Sequence, residues 1–243
     1  ATTRRAFDAR RFVVCESGED LQPLLAGEVP GRLLSGQAVS GRPVAFLFPG
    51  GGAQYATMAR DLYESEPVFR EELDRCIAIV SKKVDYDLKA LLFPAPEAVK
   101  DADAELQRGS RTLPALFSVE VALAKLWMSW GINPSAMLGH SMGEYTAACL
   151  AGVFSVEDGL AMVLLRGQLF EQVEAGAMLS VPLPAEEVEP LLGDELCFAA
   201  INGPTLCVAS GPVAAIEALA ATLAEREVET RRIKIEVAAH SHM

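Results

Sequence analysis

Five consecutive residues carry the most chemistry in the chain: Gly139-His140-Ser141-Met142-Gly143. They follow a short apolar run, Ala136 to Leu138, and precede a run of small residues, Thr146 to Ala151. Gly-x-Ser-x-Gly between a strand and a helix is the pattern of a nucleophile elbow. The sharp turn needs glycine on both sides, and a helix packed close on its strand needs alanines. Ser141 would then stand at a helix N-terminus, where backbone N–H groups and the helix dipole favour an oxyanion. The competing reading is a glycine-flanked serine in a structural turn.

A nucleophilic serine needs a base within hydrogen-bond reach. The chain has three histidines, His140, His240 and His242. His140 adjoins the serine, and neighbouring side chains on a sharp turn diverge. His240 follows a segment in which Ile233, Ile235 and Val237 alternate with Arg232, Lys234 and Glu236, the period of a strand. A returning strand could bring His240 back to Ser141, so His240 is the candidate base; the alternative is a solvated residue in a fraying tail. Arg166 closes an apolar run that starts at Leu160. An arginine so placed commonly snorkels to the surface. The sharper reading is an anion clamp, since a guanidinium grips a carboxylate with two parallel hydrogen bonds. A further loop, Pro49-Gly50-Gly51-Gly52-Ala53-Gln54, lets the backbone approach a ligand or makes a flexible turn. No Gly-Lys-Ser/Thr follows it, so it is not a Walker loop.

These residues need elements to position them. Pro43 to Phe48 reads as a buried strand leading into the glycine loop. Pro67 to Val84 reads as a helix with Phe69, Leu73, Cys76, Ile77 and Val80 on one face. Leu113 to Trp130 reads as a second helix, capped by Thr112, with a stripe of Leu116, Val119, Leu123, Trp127 and Trp130. Ser155-Val156-Glu157-Asp158 opens the helix that carries Arg166. Strands at Ala177–Leu183, Leu196–Ile201, Leu206–Ser210 and Glu229–Val237 alternate with helices at Ala185–Leu192 and Val213–Arg226, with Asn202-Gly203-Pro204 as a turn. That order, βαββαβ, is ferredoxin-like, and it reads as an insertion into the α/β domain that carries the elbow. Near the N-terminus, Arg10–Cys15 reads as a strand, Ser17–Ala26 as a short helix and Gly27–Gly41 as a linker.

The 243 residues are 51% hydrophobic and 22% charged, enough for a core without disulfides or metals. A net charge of −12 argues against non-specific nucleic-acid binding. Five cysteines are scattered and never in C-x-x-C spacing, which points to a reducing, cytoplasmic setting and to no metal site. The N-terminus does not read as a signal peptide, and no apolar run reaches membrane-spanning length.

Phe48 to Gln54, Gly139 to Tyr145, Arg166-Gly167, Gly176-Ala177-Met178, Asn202-Gly203-Pro204 and Ala239-His240-Ser241 occur in order. From about residue 42 onward the chain resembles the acyltransferase domain of a modular type I polyketide synthase, related to malonyl-CoA:acyl carrier protein transacylases. The resemblance implies a hydrolase-like α/β subdomain (42–175), a small ferredoxin-like subdomain (176–237) and a return to the large one (238–243). Residues 1–41, including Arg4-Arg5-Ala6-Phe7, resemble the tail of a linker to an adjacent ketosynthase. It implies Ser141 as nucleophile, His240 as base, the backbone N–H groups of Gly51 and Met142 as oxyanion hole, and Arg166 on the free carboxylate of a malonyl-type unit. Gln54, His140, Val237 and Ala239 would line the substrate pocket. It implies acyl-CoA as donor, the phosphopantetheine thiol of an acyl carrier protein as acceptor, and no bound cofactor.

Gly51 stands where the family often has Gln, and Leu113 where Gln often precedes Pro-Ala-Leu-Phe. Such domains continue well past the histidine and orient it with a later main-chain carbonyl, so the expectation here is a C-terminally truncated domain. Met142 and Val237-Ala238-Ala239-His240 lack the Gln and Tyr-Ala-Ser-His associated with methylmalonyl, which favours malonyl. A serine thioesterase or esterase would share the elbow, and a non-catalytic synthase segment would share the fold.

Overall fold

The computed structural model describes residues 7–16, 18–235 and 237–243. The chain separates into two compact units, Ala1–Pro43 and Val44–Met243. In the first, β1 (Ala9–Val13) is followed by α1 (Leu21–Ala26) and β2 (Leu33–Gln37). β1 and β2 pair antiparallel, from Ala9 opposite Gln37 to Val13 opposite Leu33. Asp20 caps α1 by accepting from the Gln22 N–H at 3.0 Å, and Gly27 ends it with φ +79°. The stretch expected to be a linker therefore contains a strand, whose Leu33-Leu34 pair was outweighed by the Gly, Pro and Ser around it. Ser17 and Arg4-Arg5-Ala6 lie outside the described residues.

The second unit opens on β3 (Ala45–Phe48), followed by α2 (Arg60–Ser65), α3 (Pro67–Val80), α4 (Leu88–Leu92), α5 (Val99–Glu105), α6 (Gly109–Ser129), β4 (Ala136–Gly139), α7 (Gly143–Leu150) and α8 (Val156–Phe170). β3 and β4 run parallel, with Phe48 opposite Gly139, so the glycine loop and the elbow leave the sheet side by side. α3 buries Phe69, Leu73, Cys76 and Val80 completely, each apolar side chain worth about 1.5–3 kcal/mol.

α6 differs from expectation at both ends. It starts at Gly109, so Pro114 lies inside it and Thr112 is not its cap. Pro114 has no N–H for the Ser110 carbonyl one turn back; the Tyr86 hydroxyl donates to that carbonyl instead, at 2.6 Å. Thr112 is buried and donates to the Leu106 carbonyl at 2.5 Å. Trp127 and Trp130 are 44% and 52% exposed, not core. α6 packs against both α3 and α8, so its middle is buried over a wide arc, while its last turn emerges with the two indoles edge to face. At α8 the expected cap is present: Ser155 Oγ accepts from the Asp158 N–H at 3.0 Å.

β5 (Gly176–Val181), α9 (Ala185–Leu192), β6 (Cys197–Gly203), β7 (Leu206–Pro212), α10 (Val213–Glu225) and β8 (Arg231–Arg232) complete the unit. The sheet order is β6-β7-β5-β8, with every pair antiparallel. Counted within the motif, that is the 4-1-3-2 order of a ferredoxin-like subdomain. Alternation divides its residues between two faces. Ala177, Leu179, Val181, Cys207 and Ala209 pack with Val188, Ile216, Leu219 and Leu223 of the helices. Met178 and Val208 point the other way and join Ala239, Phe170, Ile233, Ile235 and Val237. The turn between β6 and β7 is Pro204-Thr205, and Asn202 is still in the strand. β8 is much shorter than the expected Glu229–Val237. After Ile233 donates to the Met178 carbonyl, Ile235 donates back to Ile233 and the chain leaves the sheet; Glu236 lies outside the described residues.

Candidate active site

The elbow is built by its two glycines. A Cβ on Gly139 would stand 2.1 Å from the Glu144 nitrogen, and one on Gly143 would stand 2.2 Å from the Phe48 carbonyl oxygen. Only glycine lets α7 start this close to β3 and β4. Ser141 between them has φ +52°, a costly angle for a residue with a Cβ.

Ser141 Oγ lies 2.7 Å from His240 Nε2. His240 also has a positive φ, +58°. Its backbone is braced by the small sheet: the buried Ser210 on β7 donates from Oγ to the Ala239 carbonyl at 2.9 Å, and Cys197 Sγ on β6 is 3.7 Å from the His240 carbonyl oxygen. Ser241 Oγ donates to the Ala238 carbonyl at 2.6 Å. Desolvation in the cavity holds the His240 imidazole below its ordinary value; the positive charge of Arg166 and the His140 ring add to this, and Glu144 opposes it. Such an imidazole is neutral and can accept a hydroxyl proton at neutral pH.

Gly51 and Met142 both line the same cavity, of about 630 Å³. Among the described residues neither of their N–H groups donates to a protein acceptor. Gln54 is not a lining residue, contrary to expectation. It is buried behind the loop, where Oε1 accepts from the Gly52 N–H at 2.8 Å and Nε2 donates to the Lys234 carbonyl at 3.4 Å. Gln54 thereby ties the loop backbone to the segment that follows β8.

Arg166 lines the cavity, with its guanidinium 5.6 Å from the Tyr145 ring centre and 5.1 Å from that of Phe170. Among the described residues it has no carboxylate partner, so a cation sits against two aromatic rings without a counter-ion. Gly167 next to it allows the start of α6 to pass within contact of α8: a Cβ there would be 2.4 Å from the Gly109 carbonyl oxygen. His140 diverges from Ser141, and its Nε2 is 3.0 Å from Asn202 Oδ1 on β6. Val237 and Ala239 line the cavity with Met178, Ala199, Ala200 and Val208.

Sequence reading missed four contributors. Asn202 reads as a turn residue, and its partner on the elbow is visible only in the fold. Tyr145 stands at the end of the elbow motif with no sign of its contact with Arg166, and Phe170, at i+4 from Arg166, gave only a weak signal. Ser210 carries no signal at all. Among the described residues no group of three or more His, Cys, Asp or Glu is placed to hold a metal, and no helix is long and apolar enough to cross a membrane.

A hydrolase-like elbow, a ferredoxin-like insertion, and a serine, a histidine and an unpaired arginine in one cavity define a class of α/β acyl-transfer proteins. The model of the acyl transferase domain family matches residues 45–243. Polyketide synthase GfsE of Streptomyces halstedii is 40% identical over 256 residues, covering 99% of this chain and 7% of that protein. The solved acyl transferase domain of ZmaA superposes with a TM-score of 0.80 at 38% identity, covering 99% of this chain and 56% of that one. A malonyl-transacylase solved with a type II polyketide synthase acyl carrier protein, PlMCAT:AntF, superposes at 0.70 with 29% identity, covering 83% of this chain and 65% of that one. The chain belongs to the acyl transferase domain family, in the branch found in polyketide synthases.

Proposed function

We propose that the chain takes a malonyl unit from malonyl-CoA onto Ser141 and passes it to the phosphopantetheine thiol of an acyl carrier protein. The observation that carries this reading is the 2.7 Å contact between Ser141 Oγ and His240 Nε2 within the cavity that also holds Arg166. His240 takes the hydroxyl proton as Oγ attacks the thioester carbonyl, and the thioester oxygen becomes an oxyanion facing the Gly51 and Met142 N–H groups. Collapse expels CoA thiolate, which receives the proton from the imidazolium. The carrier thiol then gives its proton to His240 and attacks the acyl-serine, and Ser141 is regenerated. Arg166 holds the free carboxylate, which an acetyl unit lacks. Malonyl is favoured over methylmalonyl by Met142 and by Val237-Ala238-Ala239 before the base. The carrier protein in the PlMCAT:AntF complex supports the acceptor. We further infer that residues 1–41 lead from a ketosynthase, and that the chain works in the cytoplasm with its cysteines as free thiols.

Intact-protein mass after competition among malonyl-, methylmalonyl- and acetyl-CoA tests the reading. The expected outcome is a malonyl adduct that Ser141→Ala abolishes. Arg166→Ala should lower malonyl loading about a hundredfold, as expected for a buried charge pair broken on one side, and leave acetyl loading equal or higher. Equal loss of both would remove the clamp role, and CoA release without any adduct or carrier loading would favour a thioesterase.

A further inference from the structure

Behind the elbow lies a carboxyl that this reaction does not use. Glu120, on α6, is 7% exposed. Its Oε2 is 2.5 Å from Oγ1 of Thr146, which is fully buried on α7. Its Oε1 is buried and has no hydrogen-bond partner among the described residues. An ionised carboxylate in that place would be an uncompensated buried charge. The protonated acid is the tolerated form, and burial pushes Glu120 up to about 8 against the opposing Thr146 hydrogen bond. Other titratable groups surround the same helix packing: Cys76, Glu72 and Arg75 on α3, Lys125 on α6, Cys149 on α7 and Glu157 on α8. None of them acts on Glu120, and Lys89 on α4 is engaged with Asp74 and Tyr63.

Thr146 belongs to the first turn of α7. That turn begins directly after Met142, and its Glu144 lines the cavity. The strained Ser141 persists only where its surroundings over-determine it. We propose that Glu120 is a positioning residue: as a neutral carboxylic acid on Thr146 it fastens the first turn of α7 to α6, and so holds the Met142 N–H and Ser141 in register. The assignment of Met142 rests on the acyl-serine reading above; the fastening itself does not. Ionisation of Glu120 strengthens the bond that Oε2 accepts from Thr146 but leaves an uncompensated charge on the buried Oε1; hydrating that charge opens the packing of α7 on α6, so the site loses order in alkaline solution.

The test follows labelling of Ser141 by a fluorophosphonate, a serine-directed probe that needs neither acyl-CoA nor carrier protein, in the full chain from about pH 6 to about pH 10. Wild-type labelling should fall above about 8, where Glu120 ionises. Glu120→Gln should label within about threefold of wild type at neutral pH and lack the alkaline fall. Glu120→Ala and Thr146→Val should label about tenfold more slowly, as for one lost buried hydrogen bond. Infrared difference spectra should show a protonated carboxyl band at neutral pH that Glu120→Gln removes. Melting temperature carries the same sign. The folded carboxyl is raised above its ordinary value of 4.5, so its stabilising contribution is complete below 4.5 and is lost as pH rises to about 8. Wild type should therefore lose melting temperature relative to Glu120→Gln across that window.

Wild-type labelling in Glu120→Ala, an alkaline fall that survives in Glu120→Gln, or an ionised Glu120 at neutral pH would each overturn the proposal. If Glu120→Ala does not fold, the pH profile of Glu120→Gln decides. The infrared and melting comparisons read Glu120 even in a chain that accepts no acyl unit, so failure of the acyl-transfer reading and failure of this proposal are separate results.

Discussion

Ser141 and His240 both sit at left-handed backbone angles, φ +52° and +58°, yet the chain holds them by opposite means. Ser141 is held by its own neighbours: β4 ends two residues before it, α7 starts two residues after it, and the glycines on either side admit no Cβ. His240 is held from afar. Ser210 and Cys197, on two strands of the small sheet, reach the carbonyl groups of Ala239 and His240. The geometry of Ser141 is thus a local property of one turn. The geometry of His240 is borrowed from the ferredoxin-like subdomain, so any shift of that sheet moves the imidazole relative to the serine.

The contrast can be broken most severely at Gly143. Gly143→Ala places a methyl 2.2 Å from the Phe48 carbonyl oxygen, and backbone on both sides cannot yield without displacing the turn. Labelling of Ser141 should fall by about a hundredfold or more, the scale of a misplacement near 1 Å. Ser210→Ala tests the other half. Losing the bond to Ala239 should slow both acyl-serine formation and fluorophosphonate labelling about tenfold. It should also move the acid limb of the pH profile upward. His240 is held below its ordinary value by desolvation, so its basic form persists into mild acid and is lost as pH falls through the lowered value; admitting water raises that value. Gln54→Ala sharpens the picture at the smallest scale. It removes support from Gly52 and Lys234, and should cost a few-fold in acylation rate with no change in which acyl unit is chosen. Equal losses from Gly143→Ala and Ser210→Ala would abolish the distinction between a locally and a remotely held residue.

The elbow was the most legible part of the molecule because both of its constraints, glycine spacing and small helix residues, act within ten residues. The βαββαβ order was legible too, since period-2 alternation and turn residues are local. The errors fell where a distant neighbour overrides local pattern. Trp127 and Trp130 match a helical stripe but reach past the edge of the packing on α3 and α8. Leu113 reads as a helix start because the proline after it, Pro114, would leave a carbonyl unpaired inside a helix, and Tyr86 supplies the missing donor from outside the helix. Ile233, Ile235 and Val237 alternate like a strand, but the apolar face they present is spent on the cavity wall and not on a sheet.

The sequence by itself determined the turn that carries Ser141, the order of strands and helices in the small subdomain, and the identity of the single arginine in α8. Each follows from spacing along one chain, where covalent geometry dictates which residues share a face. Only the tertiary structure decided that His240 meets Ser141, that Gln54 braces the loop from behind, that Arg166 rests on Tyr145 and Phe170, and that Glu120 is buried beneath the elbow with one oxygen unpartnered. Those are relations between residues far apart in the chain. Their distances, burial and charge states come into being only when the helices and the two sheets close around one cavity.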